Sequence, residues 1–218
     1  MAVSIDYVHQ LVYDLAAKQL ASFPSPNDFN NYAELASIDL FNYYNDERNK
    51  ELIDVKMGQT INIPNTLSDF VVYQAVMEQS GNEFLYPDDF MYDLALTNSV
   101  SKADFKKVDP DKIFNYINST IDAPSLDFPI YMPLDQSRVV VYPTVIPSLT
   151  YLRKPITPVW AYTVINNRPV YDPLTSVDFD WSPTEVYRLT MRILNYFGIS
   201  IRDTELMQEA QQLTIGAS

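Results

Sequence analysis

Cysteine is absent, histidine occurs once and glycine only four times in 218 residues. The first absence removes disulfides, thiolate metal sites and cysteine nucleophiles together. With His9 as the sole imidazole, zinc sites needing two histidines and the HExxH protease motif cannot be written. A Ser-His-Asp triad would have to recruit His9, which lies on a segment patterned as an N-terminal helix with no nucleophile motif beside it. It reads as an ordinary surface or interface residue. Neither GxGxxG nor GxxxxGKS/T occurs, so dinucleotide and P-loop phosphate cradles are excluded. No run approaches the roughly 18 apolar residues of a membrane span. The first residues, Met1 to Asp6, carry no positive charge and no small-residue cleavage site, so no signal peptide is read there. A soluble chain made in the cytoplasm and making no membrane contact is expected.

What is plentiful is apolar mass, proline and acid. Hydrophobic residues make up 47% of the chain, enough for a sizeable core. Fifteen prolines beside so few glycines mean many fixed φ angles and few flexible hinges. Sixteen tyrosines and eleven phenylalanines suit either a core or buried contact surfaces. The net charge is −13, and residues 1–100 hold 15 acids against 4 bases, a net −11. Such a surface cannot wrap nucleic acid by neutralising phosphates, although DNA could slide past it. Solubility of the free subunit is an equally good use for the acids.

No internal repeat or flexible linker is evident, so the expected fold class is α+β in one compact unit: N- and C-terminal helices packed together, with a Pro-rich antiparallel β insertion. The helical part takes residues 1–58 and 182–218, and the insertion 59–181. Ile5, Val8, Val12, Leu15 and Gln19 fall at helical spacing from Ser4 to about Phe23. Ser25-Pro26-Asn27-Asp28 supplies an N-cap, a proline at N1 and an acid at N3 for a second helix through Phe29, Tyr32, Ala36, Leu40 and Tyr43 to about Lys50. Val71 to Glu78 alternates as a strand, with a helix over Leu67 to Gln79 as the competing reading, and Ser80-Gly81-Asn82 offers a turn. Asp109-Pro110 starts a short helix. Arg138–Tyr142 and Ser148–Leu152 are expected to be strands paired antiparallel across the Pro143–Pro147 turn. Ser182-Pro183-Thr184-Glu185 reads as a capping box, opening a helix through Val186, Leu189, Ile193, Leu194 and Phe197 that Gly198 ends. Asp203 is placed to cap a last helix, and residues 214–218 should fray.

The succession Val141-Tyr142-Pro143, Tyr151-Leu152-Arg153-Lys154-Pro155, Pro158-Val159-Trp160 and Asp178-Phe179, then a helix with a glycine stop, resembles tail-neck and ring proteins of crAss-like and related Bacteroidetes phages. The likeness covers roughly residues 60–213. It implies a non-enzymatic structural subunit of the virion tail or neck, a head-to-tail adaptor made in the bacterial host's cytoplasm. By that resemblance the partners are further copies in a ring of about twelve, the portal protein and neighbouring tail or ring proteins, with DNA passing through unbound. No catalytic residue, metal or cofactor is implied.

Tyr151, Arg153, Lys154 and Trp160 are then candidate contacts between copies, guanidinium pairing with a neighbour's carboxylates and aromatics filling the joint. The plainer reading is a solvated strand end with snorkelling side chains. Asp46, Glu47, Glu51 and Asp54, near the end of the second helix, are candidates to face the DNA passage, or else solvating charge on the outer wall. Asp88, Asp89 and Asp93, and Asp178 with Asp180, lack the spacing of a calcium loop and read as caps and turns. Two other functions compete, a virion-borne glycan hydrolase working through two carboxylates and a monomeric receptor- or carbohydrate-binding module.

Overall fold

Periodicity and proline placement set the elements of a computed structural model that describes residues 2–17, 25–56 and 65–198, with the backbone alone at 51–56 and 65. The helices are α1 (Ile5–Ala17), α2 (Pro26–Lys56), α3 (Ile113–Ile117) and α4 (Val186–Tyr196). The strands are β1 (Val71–Val76), β2 (Glu78–Ser80), β3 (Glu83–Leu85), β4 (Phe90–Asn98), β5 (Lys106–Lys107), β6 (Ile130–Pro133), β7 (Arg138–Tyr142), β8 (Pro147–Arg153), β9 (Tyr162–Ile165) and β10 (Arg168–Tyr171). The fold class is α+β. Among the described residues, no helix is long and apolar enough to cross a membrane. The chain divides into two compact units, residues 1–69 with 155–218, and residues 70–154. Strands β9 and β10, within the span read as the β insertion, belong to the first unit.

In the first unit α4 packs against both α1 and α2. Helix α1 buries Ile5, Val8, Val12 and Leu15 as the spacing predicts, and Leu11 and Ala16 as well. Gln19 lies outside the described residues. Its first turn is held from far along the chain: the Ile5 amide donates to Asp178 Oδ1 at 2.8 Å, and Val3 and Phe179 exchange backbone hydrogen bonds of 3.1 and 3.0 Å. Helix α2 starts where Ser25 was expected to cap it. The Asp28 amide donates to Ser25 Oγ at 3.2 Å, and that hydroxyl donates to Asp28 Oδ2 at 2.6 Å. Phe29, Ala33, Ala36, Leu40, Phe41 and Tyr44 are its buried apolar positions, with Ser37 and Asn45 buried beside them. Trp181 is buried among these helices and donates from Nε1 to the buried Ser37 Oγ at 2.9 Å.

Helix α4 forms as expected, but its capping box does not. Residues Pro183–Glu185 make a 3-10 turn, Ser182 makes no side-chain cap bond, and Glu185 is buried against Tyr44 instead. Gly198 ends the helix at φ +76, a conformation that glycine adopts without strain. Residues 199–218, including the helix expected after Asp203 and the tail, lie outside the described residues.

The second unit holds two sheets, β1-β8-β4 and β2-β3-β7-β6-β5, antiparallel except for the β5–β6 pair. Their inner faces share one core of Met77, Phe84, Leu96, Phe105, Val139, Leu149 and Tyr151 among others. A smaller cluster of Val108, Ile113 and Ile130 seats α3, where Asp109-Pro110 announced a helix. The turn at Gly81 joins β2 to β3 with φ +66. The expected pairing of the two strands is overturned. Strands β7 and β8 both exist but do not pair: β7 lies between β3 and β6, and β8 between β1 and β4. The Pro143–Pro147 link carries the chain from one sheet to the other, so Val139 and Val141 face the shared core with Leu149 and Tyr151 instead of joining them edge to edge. The competing helix over 67–79 is limited to a 3-10 turn, Asn65–Phe70, before β1 begins.

Candidate functional site

The four residues expected to act together at a joint fall in different units. Tyr151 and Trp160 are each 4% exposed, the first in the second unit's core and the second in the first unit. Burial makes both rings parts of their own unit's interior. Trp160 stacks on His9 at 4.0 Å between centroids, its Nε1 donates to Asp6 Oδ1 at 3.0 Å, and its amide donates to Asn30 Oδ1 at 2.8 Å. Tyr151 donates to Asp89 Oδ1 at 2.7 Å. Arg153 closes β8 with its guanidinium 5.2 Å from the Phe70 ring centre, and the Lys154 amide donates to the Asp89 carbonyl at 2.7 Å. Only Arg153, half-buried, and Lys154, exposed, offer side-chain surface outward.

Of the acids nominated for a passage, Asp46 is exposed and Glu47 half-buried on α2. Glu47 accepts a hydrogen bond from the Tyr43 hydroxyl. The side chains of Glu51 and Asp54 lie outside the described residues. Asp178 caps α1 and Asp89 lies in the turn before β4 as expected, whereas Asp93 accepts from the Tyr131 hydroxyl at 2.8 Å and Asp180 Oδ2 from the distant Ile156 amide at 3.1 Å, which is neither a cap nor a turn. Among the described residues, no group of three or more His, Asp or Glu is arranged to hold a metal ion.

Among the described residues, each unit has a recess open on its surface. The first unit has a cleft of about 530 Å³ lined by His9, Gln10, Tyr13, Asp14, Pro26, Trp160, Arg168 and Pro169. Burial lowers the affinity of His9 for a proton, with Asp6 opposing, so the wall of this cleft favours a neutral ring. The second unit has a groove of about 340 Å³ between the β5 region and residues 121–130. Its lining includes Asp104, Asp122, Asp127, Ile121 and Phe128, all exposed, with Lys106 and Tyr116. The Lys106 ammonium donates to the Tyr116 hydroxyl at 3.0 Å and lies 4.9 Å from its ring centre.

The buried phenols act as donors to carboxylates. Burial first, and then the bond to Asp93, raises the Tyr131 hydroxyl above its ordinary range. Tyr151 is pushed up to about 12 by burial and Asp89, and Tyr86 to about 12 by burial and the Asp93 charge. The bonds of Tyr131 and Tyr151 tie strands together, and phenols held protonated in this way are poor nucleophiles. Neither these pairs nor the groove was visible in the sequence, because their members stand 38 and 62 residues apart in the tyrosine–aspartate bonds. No protein-family model matches the chain, and no curated protein is significantly similar to it.

Proposed function

We propose that this chain is a structural subunit of a tailed-phage particle that assembles into a ring at the head-to-tail connector or tail, around the path of the DNA. The identity of the particle rests on the resemblance of residues 60–213. The observation that carries self-assembly is unsheltered apolar surface on both units. Val164 is 65% exposed and Leu174 93% in the first unit, and Ile121 is 91% and Phe128 79% exposed in the second. Ile121 and Phe128 line one recess, and exposed apolar residues gathered in this way are characteristic of contact sites. Two separate contact surfaces on one subunit give head-to-tail association, which closes into a ring when the rotation allows.

In such a ring any inward face repeats once per copy, so a small acidic patch becomes a band. The reading puts the α2 acids Asp46 and Glu47, followed in sequence by Glu51 and Asp54, on or near that band. Repulsion there keeps phosphates from the strong, salt-dependent attachment that basic walls produce. Mass photometry and negative-stain imaging of the purified chain test the assignment. Closed rings are expected, and a chain that stays monomeric at micromolar concentration overturns it. A map of the assembled particle tests the band separately, since outward-facing α2 acids refute it while leaving the ring intact.

A further inference from the structure

We propose that the β9–β10 hairpin of one copy docks into the acidic groove of the second unit of the next copy, an inference that rests on the reading of the chain as a self-assembling subunit. The hairpin forms a two-stranded sheet of its own, with Arg168 opposite Ile165 and Pro169 opposite Val164. Asn166 and Asn167 turn it with φ +52 and +59, the pair of left-handed residues that a tight hairpin turn demands. Two strands alone are marginal in water, yet Val164, Ile165 and Val170 are 65%, 53% and 43% exposed. Beside them stands one cation, the exposed Arg168, on the rim of the His9 cleft.

The groove has the opposite character in charge and the same character in apolarity. Asp104, Asp122 and Asp127 stand there against one ammonium, that of Lys106, which already donates to Tyr116. Ile121 and Phe128 are largely exposed in the same lining. A guanidinium entering this recess meets carboxylates that it can bind in its planar two-pronged geometry. Ile165 and Val170, which share its face of the hairpin by the strand register, then cover Ile121 and Phe128. At about 340 Å³ the recess is at the small end of the roughly 300–1,000 Å³ of ligand sites, which suits the side chains of a hairpin tip. The occupant is a second copy because the complementary partner is carried in equal number by every chain. Hairpin and groove are different patches, so the contact is heterologous and leads onward from copy to copy.

The test uses two full-length variants, Arg168→Glu and the pair Asp122→Lys with Asp127→Lys, read by sedimentation velocity and mass photometry. Each alone sets like charges against each other and should reduce the assembled fraction at least tenfold, while far-UV circular dichroism stays that of the parent. Mixed in equal amounts, they should assemble again, because each variant's hairpin then matches the other's groove. Variants that assemble as the parent does, or a mixture that does not recover, overturn the docking, and rings that persist in that case leave the proposed function standing. Assemblies other than rings that follow the same charge rule support the docking and overturn the ring. A monomeric parent overturns both.

Discussion

The indole of Trp160 lies on the imidazole of His9, the planes 12° from parallel and the centroids 4.0 Å apart. Asn30 holds the Trp160 backbone on both sides, accepting from its amide at 2.8 Å and donating to its carbonyl at 3.2 Å. Tyr162 and Tyr171, one from each hairpin strand, lie with centroids 5.8 Å from that of Trp160. One ring thus joins α1, α2 and the base of the hairpin. Trp160→Ala should destabilise the chain by about 3–5 kcal/mol, the usual cost of emptying a large aromatic site. Denaturant unfolding followed by circular dichroism measures it, and a loss below about 1 kcal/mol would contradict the packing. Because the cost falls on folding, assembly defects in this variant say nothing about an interface.

The same stack predicts a pH dependence. Burial depresses the proton affinity of His9 in the folded chain below its ordinary 6.5, more than Asp6 raises it. Below pH 6.5 the unfolded chain therefore binds a proton that the folded chain resists. The stability due to the neutral ring is complete above 6.5 and declines as pH falls toward the folded value. His9→Phe should flatten the dependence between pH 7 and pH 5, measured as the unfolding midpoint. An unchanged slope in the variant would show that other groups account for it.

How much of this was legible follows from the range of each interaction. Ser25-Pro26-Asn27-Asp28 starts α2, Gly81 turns β2 into β3 and Gly198 stops α4, because those signals act within a few residues. The capping box at Ser182 failed for a long-range reason. Glu185 had a local option, the Ser182 amide, and a distant one, the Tyr44 hydroxyl 141 residues away, and took the distant one. Strands β7 and β8 were recognisable by composition, but their partners were not, since alternation marks an inner face without saying which sheet owns it. Trp160 looked like an interface anchor because aromatic type alone does not distinguish a core from a joint.

Asp178 illustrates a cap that sequence patterns miss. It satisfies the first amide of α1 from 173 residues away, beside the Val3–Phe179 bridge. Asp178→Ala should cost about 0.5–2 kcal/mol, as the loss of an N-terminal cap does. Asp178→Asn should recover most of it, since an amide oxygen can accept the same bond. Thermal unfolding of both variants decides the point, and an asparagine no better than alanine would mean that something other than the accepted bond matters.

Tyr44 and Glu185 give the most discriminating prediction. The phenol donates to Glu185 Oε2 at 2.7 Å inside the first unit, and Arg188 donates to the same phenol oxygen. The three groups form a relay, guanidinium to phenol to carboxylate. Glu185 is 7% exposed and Tyr44 5%, so neither can replace its partner with bulk water. Glu185→Ala and Tyr44→Phe should each cost about 1–3 kcal/mol through the group left unsatisfied. The double variant should cost less than the sum by about 0.5–3 kcal/mol, because the second change removes the group that the first one orphaned. Alkali supplies an independent readout. Burial and the bond to Glu185 hold the Tyr44 proton well above the ordinary tyrosine range, so its contribution is complete below pH 10 and is lost as pH rises above it. Tyr44→Phe should therefore lose less stability between pH 9 and pH 11 than the parent does. Additive costs together with an unchanged alkaline slope would refute the relay.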